Sequence, residues 1–66
     1  MTFSYILRDK DDKQITSNTT SNMFIDEASF RSYIRKDAKR FYENAHYCEY
    51  YEINVRNTRM KTIALF

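Results

Sequence analysis

Apolar and polar residues alternate from the first positions of the chain. Phe3, Tyr5 and Leu7 fall on one side and Thr2, Ser4, Ile6 and Arg8 on the other, the period of a strand with one buried face. Asp9-Lys10-Asp11-Asp12 interrupts the pattern with polar residues that favour a turn. Residues 13–20 are rich in Thr but offer only Ile15 as an apolar anchor. They predict a weak edge strand that fades into Ser21-Asn22.

The period then changes. Phe30, Tyr33, Ile34, Ala38, Phe41, Tyr42 and Ala45 recur at spacings of three and four, one stripe along a helix. Asp26 is a strong N-cap, and Glu27 suits the positive end of the helix dipole. Ile25 and Phe30 have the spacing of a hydrophobic staple, and Asn44 suits a left-handed C-cap. A helix over about residues 27–44 is predicted.

Residues 46–56, rich in Tyr, Ile and Val, read as a long strand. Asn57-Thr58 reads as a two-residue turn leading into a last strand to Phe66. Such a turn pairs Arg56 with Arg59, Val55 with Met60, Ile53 with Thr62 and Tyr51 with Ala64. Tyr51, Ile53, Val55, Met60, Ala64 and Phe66 then share the inward face. The expected fold is α+β: a single domain over residues 1–66, ββαββ, with one helix packed on one face of a four-stranded antiparallel sheet.

Composition narrows the chemistry. A 66-residue domain buries only about 60% of its unfolded surface, so a staple is expected. One cysteine, Cys48, excludes an intrachain disulfide, and one histidine, His46, excludes a structural zinc site of Cys and His. Good aromatic packing, or assembly as a homodimer, is left to supply stability. A lone cysteine, no leader-like N-terminus and no long apolar run predict a cytoplasmic protein off the membrane.

Gly and Pro do not occur, where roughly eight would be usual. Asn, Asp, Ser and Lys must therefore make the turns. Thirty residues are Phe, Tyr, Met, Ile, Asn or Lys, against ten Gly, Ala, Arg or Pro. The first group has AT-rich codons. That bias in so short a chain is associated with phage and mobile-element genes.

The net charge of +2 is too small to specify a nucleic acid by itself. Its distribution is more informative. Arg31, Arg35, Lys36, Lys39 and Arg40 lie within ten residues against a single acid, Asp37. Arg31, Arg35 and Lys39 form a row at i, i+4 spacing, suited to phosphates or an acidic partner. The plainer reading is a solvated helix face. The expected uncovered sheet face carries Cys48, Tyr50, Glu52, Asn54, Arg56, Arg59, Lys61, Ile63 and Leu65, joined by Ser4, Ile6 and Arg8. Tyr50 with Arg56, Arg59 and Lys61 has the aromatic and basic composition of a single-strand nucleic-acid platform, without its glycine-bearing motifs. The plainer reading is scattered surface apolar residues.

His46 and Cys48 would point to one side of a strand about 7 Å apart, without an orienting group, an oxyanion hole or further metal ligands. Asp9–Asp12 lacks the Gly and Glu of a calcium loop. No catalytic residue, metal or cofactor is expected. The chain reads as a binding protein: a phage or mobile-element inhibitor or anti-defence factor that docks on a host protein or nucleoprotein complex. The alternative is a nucleic-acid-binding regulator. The expected contact residues are Tyr50, Arg56, Arg59 and Lys61 on the sheet, and Arg35, Lys36, Lys39 and Arg40 on the helix.

Overall fold

The computed structural model describes residues 1–21 and 23–65. Asn22 of the expected loop and Phe66 of the expected last strand lie outside these. The elements in chain order are β1 (Phe3–Arg8), β2 (Gln14–Thr19), α1 (Glu27–Phe41), β3 (Tyr47–Glu52) and β4 (Lys61–Ala64). The strands form one antiparallel sheet in the order β2-β1-β3-β4. The ββαββ architecture is the one expected. Among the described residues no helix is long and apolar enough to cross a membrane.

β1 is the organising strand. Its alternation buries Phe3, Tyr5 and Leu7 on the helix side. The turn after it is built by Asp9, whose Oδ1 accepts from the N–H groups of Asp11 and Lys13, both at 2.9 Å. Asp12 takes a positive φ of 67° there, a conformation Asp tolerates better than most residues. β2 is the weak edge strand that its single apolar residue implied. It joins β1 through a register break beside Leu7 and Arg8, and Ile15 packs partly against the core.

α1 begins where Asp26 predicted. The Asp26 backbone is extended at φ −151°, and its Oδ1 accepts from Ser29 N–H at 2.8 Å. The staple is displaced by one residue. Ile25 is 93% exposed, while the Phe24 ring meets Phe30 edge-on at 5.6 Å. Backbone bonds fix this choice: Phe24 N–H donates to Met1 O at 2.8 Å, and the Met1 ammonium donates to Phe24 O at 2.7 Å.

The helix also stops earlier than expected. Tyr42 caps it, donating to Ala38 O at 2.8 Å, and Asn44 does not take the left-handed conformation. Ala45 is fully buried, and its N–H donates to Tyr42 O at 2.8 Å. The chain has to leave the helix to seat Ala45 and reach β3. Phe41 consequently sits outside the buried stripe of Phe30, Ile34 and Ala38, at 62% exposure.

The largest correction concerns β3 and β4. Ala64 pairs with Tyr47 rather than Tyr51, a displacement of four positions. Strand β3 ends at Glu52, and residues 53–60 form a wide loop instead of a two-residue turn. Asn54 and Asn57 take positive φ values of 64° and 57° within it. The buried face is reversed as a result. Cys48, Tyr50, Ile63 and Leu65 are in the core, whereas Val55 and Met60 are exposed. The cause is β1: Tyr5 pairs with Tyr50 and Leu7 with Cys48, and directly paired residues share a face.

The core is aromatic. Phe3 and Phe30 stack at 4.2 Å, and Tyr50 closes on both, at 5.9 Å from Phe3 and 5.0 Å from Phe30. Phe30→Ala is expected to cost about 3–5 kcal/mol, comparable with the roughly 3–10 kcal/mol total usual for 66 residues. Urea titration followed by circular dichroism would show a largely unfolded variant. In the same assay Phe24→Ala should lose about 1–3 kcal/mol and Ile25→Ala less than about 0.5. Equal losses at these two positions would contradict the displaced staple.

Candidate partner-binding site

The eight expected contact residues come from three segments: α1, the end of β3, and the loop with the start of β4. On α1, Arg35, Lys36, Lys39 and Arg40 are all exposed. They divide between two flanks of the helix. Arg31 and Arg35 lean toward β3 and β4. Arg31 Nε donates to the Tyr50 hydroxyl at 2.7 Å, and Arg35 Nε donates to Ala64 O at 3.3 Å. Lys39 continues that row by its i, i+4 spacing. On the other flank, Arg40 lies 5.2 Å over the Phe41 ring. With Tyr33, Lys36 and Asp37 it borders a shallow depression of about 210 Å³.

Tyr50, Arg56, Arg59 and Lys61 do meet, but not on an uncovered sheet face. They line a groove of about 250 Å³ together with Glu27 and Glu52, between the helix start and the 53–60 loop. Tyr50 is a correction. Its ring is in the core at 1% exposure, and only its hydroxyl reaches the groove. Leu65 is likewise buried, whereas Ser4, Ile6 and Arg8, expected on the same uncovered face, lie half-buried on the side away from the helix.

Glu27 organises the groove. Its carboxylate accepts from Lys61 Nζ at 2.9 and 3.1 Å, from the Tyr50 hydroxyl at 2.8 Å and from Arg31 Nη2 at 2.5 Å. The bond from Lys61, then that from Tyr50, holds the Glu27 carboxyl below its ordinary value. Burial pushes the Tyr50 phenol up, as does its own bond to Glu27. Lys61 and Arg31 are therefore committed to an internal network, which fixes the helix start to β3 and β4. The sequence reading valued Glu27 only for the helix dipole. The signal it left aside is the i, i+4 pair with Arg31.

The face away from the helix is set by the other side of β1 and β3. Ser4 pairs with Tyr51, Ile6 with Glu49 and Arg8 with Tyr47. Arg8 and Glu49 form an ion pair at its centre, so the face is nearly neutral there. Tyr47 and Tyr51 are half-buried and supply its aromatic surface in place of Tyr50.

His46 and Cys48 are separated by environment. His46 is exposed just before β3, and Cys48 is fully buried on the core face. Burial, with a smaller contribution from the Glu49 charge, pushes the Cys48 thiol up to about 12. A thiol held protonated is a poor nucleophile. Among the described residues no three His, Cys, Asp or Glu side chains gather into a group able to hold a metal. Comparison with family models, with curated proteins and with solved structures finds no match for the chain.

Two measurements check this geometry. Cys48 in the folded protein should resist iodoacetamide at pH 8 and react fully in urea. Rapid labelling without denaturant would contradict its burial. A carboxylate held below its ordinary value of 4.5 stabilises the fold fully above that pH, and the contribution is lost as pH falls through its folded-state value. The stability gap between wild type and Glu27→Gln should therefore be widest near neutral pH and shrink below about 4.5. Urea midpoints from pH 7 to pH 3 would reveal a gap of constant width if the network were inert.

Proposed function

We propose that this protein is a small non-enzymatic binding protein whose basic side docks on a host protein or nucleoprotein complex in the cytoplasm. It would act as a phage or mobile-element inhibitor or anti-defence factor. The observation that carries docking is the cationic surface formed by exposed Arg35, Lys36, Lys39 and Arg40, with Asp37 the single acid in the 31–40 segment. Arg56 and Arg59 add cations in the groove at the helix start. Few of these charges are needed by the fold. Arg35 alone among the four helix residues reaches across to the sheet, through one exposed bond to Ala64 O. Clustered cations that do little for folding are well suited to an acidic partner. The phage or mobile-element origin rests on the AT-rich codon bias of the composition.

The second reading, a nucleic-acid-binding regulator, draws on the row of Arg31, Arg35 and Lys39, of which Arg31 is held by Glu27 and Tyr50 and the other two are exposed. Successive members lie about 6 Å apart along a helix rising 1.5 Å per residue, a spacing compatible with a phosphate backbone. The two readings differ in salt response. Binding through four or five phosphate contacts should fall with a log–log slope of roughly −3 to −4.5.

Affinity capture from host cells, with and without nuclease, tests the proposal. One protein complex recovered under both conditions is the expected result. Recovery that vanishes with nuclease would move the assignment to the nucleic-acid regulator. The double substitution Arg35→Glu with Lys39→Glu should reduce capture at least tenfold while leaving the urea midpoint nearly unchanged, because both side chains are exposed. Undiminished capture would remove the basic side from the reading.

A further inference from the structure

The two edges of the sheet are not equivalent. Just past β2, Thr20 N–H donates to Phe3 O at 2.8 Å. The alternation of an antiparallel ladder therefore turns the backbone groups of Ser17 and Thr19 outward. That edge is blunted twice. Asn18 Oδ1 accepts from the outward Thr19 N–H at 2.8 Å, and the register breaks beside Leu7 and Arg8.

β4 is different. Leu65 donates to His46 O at 3.1 Å, so Leu65, Ile63 and Lys61 address β3 while Thr62 and Ala64 face outward. Of the outward groups, the Ala64 carbonyl accepts from Arg35 Nε at 3.3 Å, through an exposed contact. Among the described residues, the N–H groups of Thr62 and Ala64 and the Thr62 carbonyl meet no neighbouring strand, because β4 ends the sheet.

The surroundings of this edge say what would fit it. On the helix side stand Arg35 and Lys61, with Arg31 and Arg59 beyond them. Of the nearby acids, Glu27 is held by Lys61, Arg31 and Tyr50, Glu49 opposite Thr62 is paired with Arg8, and Glu52 lines the groove with Arg59 and Lys61. On the opposite side lie the small side chains of Thr62 and Ala64, with Tyr47 one strand inward. A strand laid on this edge alternates its side chains between the two sides. Acids would meet Arg35, with Lys61 beside it bonded to Glu27, and the intervening residues would lie beside Ala64. A second copy of the chain fits badly, since pairing β4 with itself brings Arg35 and Lys61 against the same cations.

We propose that β4 is a docking edge that accepts an extended, alternately acidic segment of a partner protein as a fifth strand, with Arg35 released from Ala64 O to pair with it. Backbone bonds at Thr62 and Ala64 supply the affinity, and the flanking cations select the acidic segment. The inference deepens the docking reading above by naming the part of a partner that is grasped, and it rests on that reading.

The test uses the whole chain, 15N-labelled, and a synthetic peptide alternating Glu and Thr over ten residues. A peptide of the same composition, with the Glu and Thr residues in two blocks, serves as control. The alternating peptide should shift the Thr62 and Ala64 amides and slow their hydrogen exchange, with the block peptide at least tenfold weaker. Thr62→Pro removes an N–H that makes no ladder bond within the chain, so the fold should tolerate it. It should weaken the alternating peptide at least tenfold, whereas Ser17→Pro on the blunted edge should not. Equal binding of the two peptides, or shifts confined to residues 36–40, would overturn the edge on wild type alone, whatever the variants do. A fifteen-residue oligothymidylate that moved the Thr62 and Ala64 amides as strongly would overturn strand addition in favour of nucleic acid. If cellular capture persisted in Thr62→Pro but failed in Arg35→Glu with Lys39→Glu, basic docking would stand and the edge would fall.

Discussion

The contact of Tyr50 with Phe3 and Phe30 fixes more of this molecule than any other. β1 must bury Phe3, Tyr5 and Leu7, and β3 lies directly beside it with Tyr50 opposite Tyr5 and Cys48 opposite Leu7. Once Tyr50 is inward, β4 has to present Ile63 and Leu65 to the same core, and its pairing with β3 follows. The 53–60 loop is then long enough to fold beside the helix start. A groove forms there, and Glu27 can reach both the Tyr50 hydroxyl and Lys61. Core packing and the polar groove thus meet in one side chain, whose ring serves the first and whose hydroxyl serves the second.

This arrangement lets a very small domain keep its charges outside. No polar or charged residue is buried among the described residues, and every buried side-chain nitrogen or oxygen there has a partner. Aromatic volume carries the burial that a disulfide or a metal would otherwise have to supplement. The cations are consequently placed by periodicity along α1 and by the loop, rather than by the needs of the interior. Arg31 and Arg35 reach toward β3 and β4, whereas Lys36 and Arg40 border the depression on the other flank. The two sheet edges therefore differ: one is closed by its own asparagine and a register break, the other is flanked by positive charge.

Much of the architecture was legible in the residues. The Phe3, Tyr5, Leu7 alternation, the Asp9 turn, the Asp26 cap and the Phe30, Ile34, Ala38 stripe each act within a few residues, where local propensity and burial agree. The exposed helix cations were legible for the same reason. The misreadings arose where two local solutions were nearly equal. Ile25 and Phe24 are both apolar before the cap, and a backbone bond from Phe24 to Met1 selects Phe24. Asn57-Thr58 is an acceptable turn, but Asn54 and Asn57 can both hold positive φ, and a wider loop costs little.

The sequence by itself determined the class of the fold, the order of its elements, the inward face of β1 and the cationic row on α1. Each follows from a period or a cap that a single segment carries alone. The tertiary structure decided the face of β3 and β4, because both sides of those strands hold enough apolar surface to be buried. Tyr47, Tyr51 and Ile53 compete with Cys48, Tyr50, Ile63 and Leu65, and only pairing with β1 breaks the tie. It also decided that Glu27, Tyr50 and Lys61 meet, since residues 23 and 34 positions apart are joined by no local rule. The core and the helix surface were therefore written along the chain. The groove and the open edge exist only through the register that the core selects.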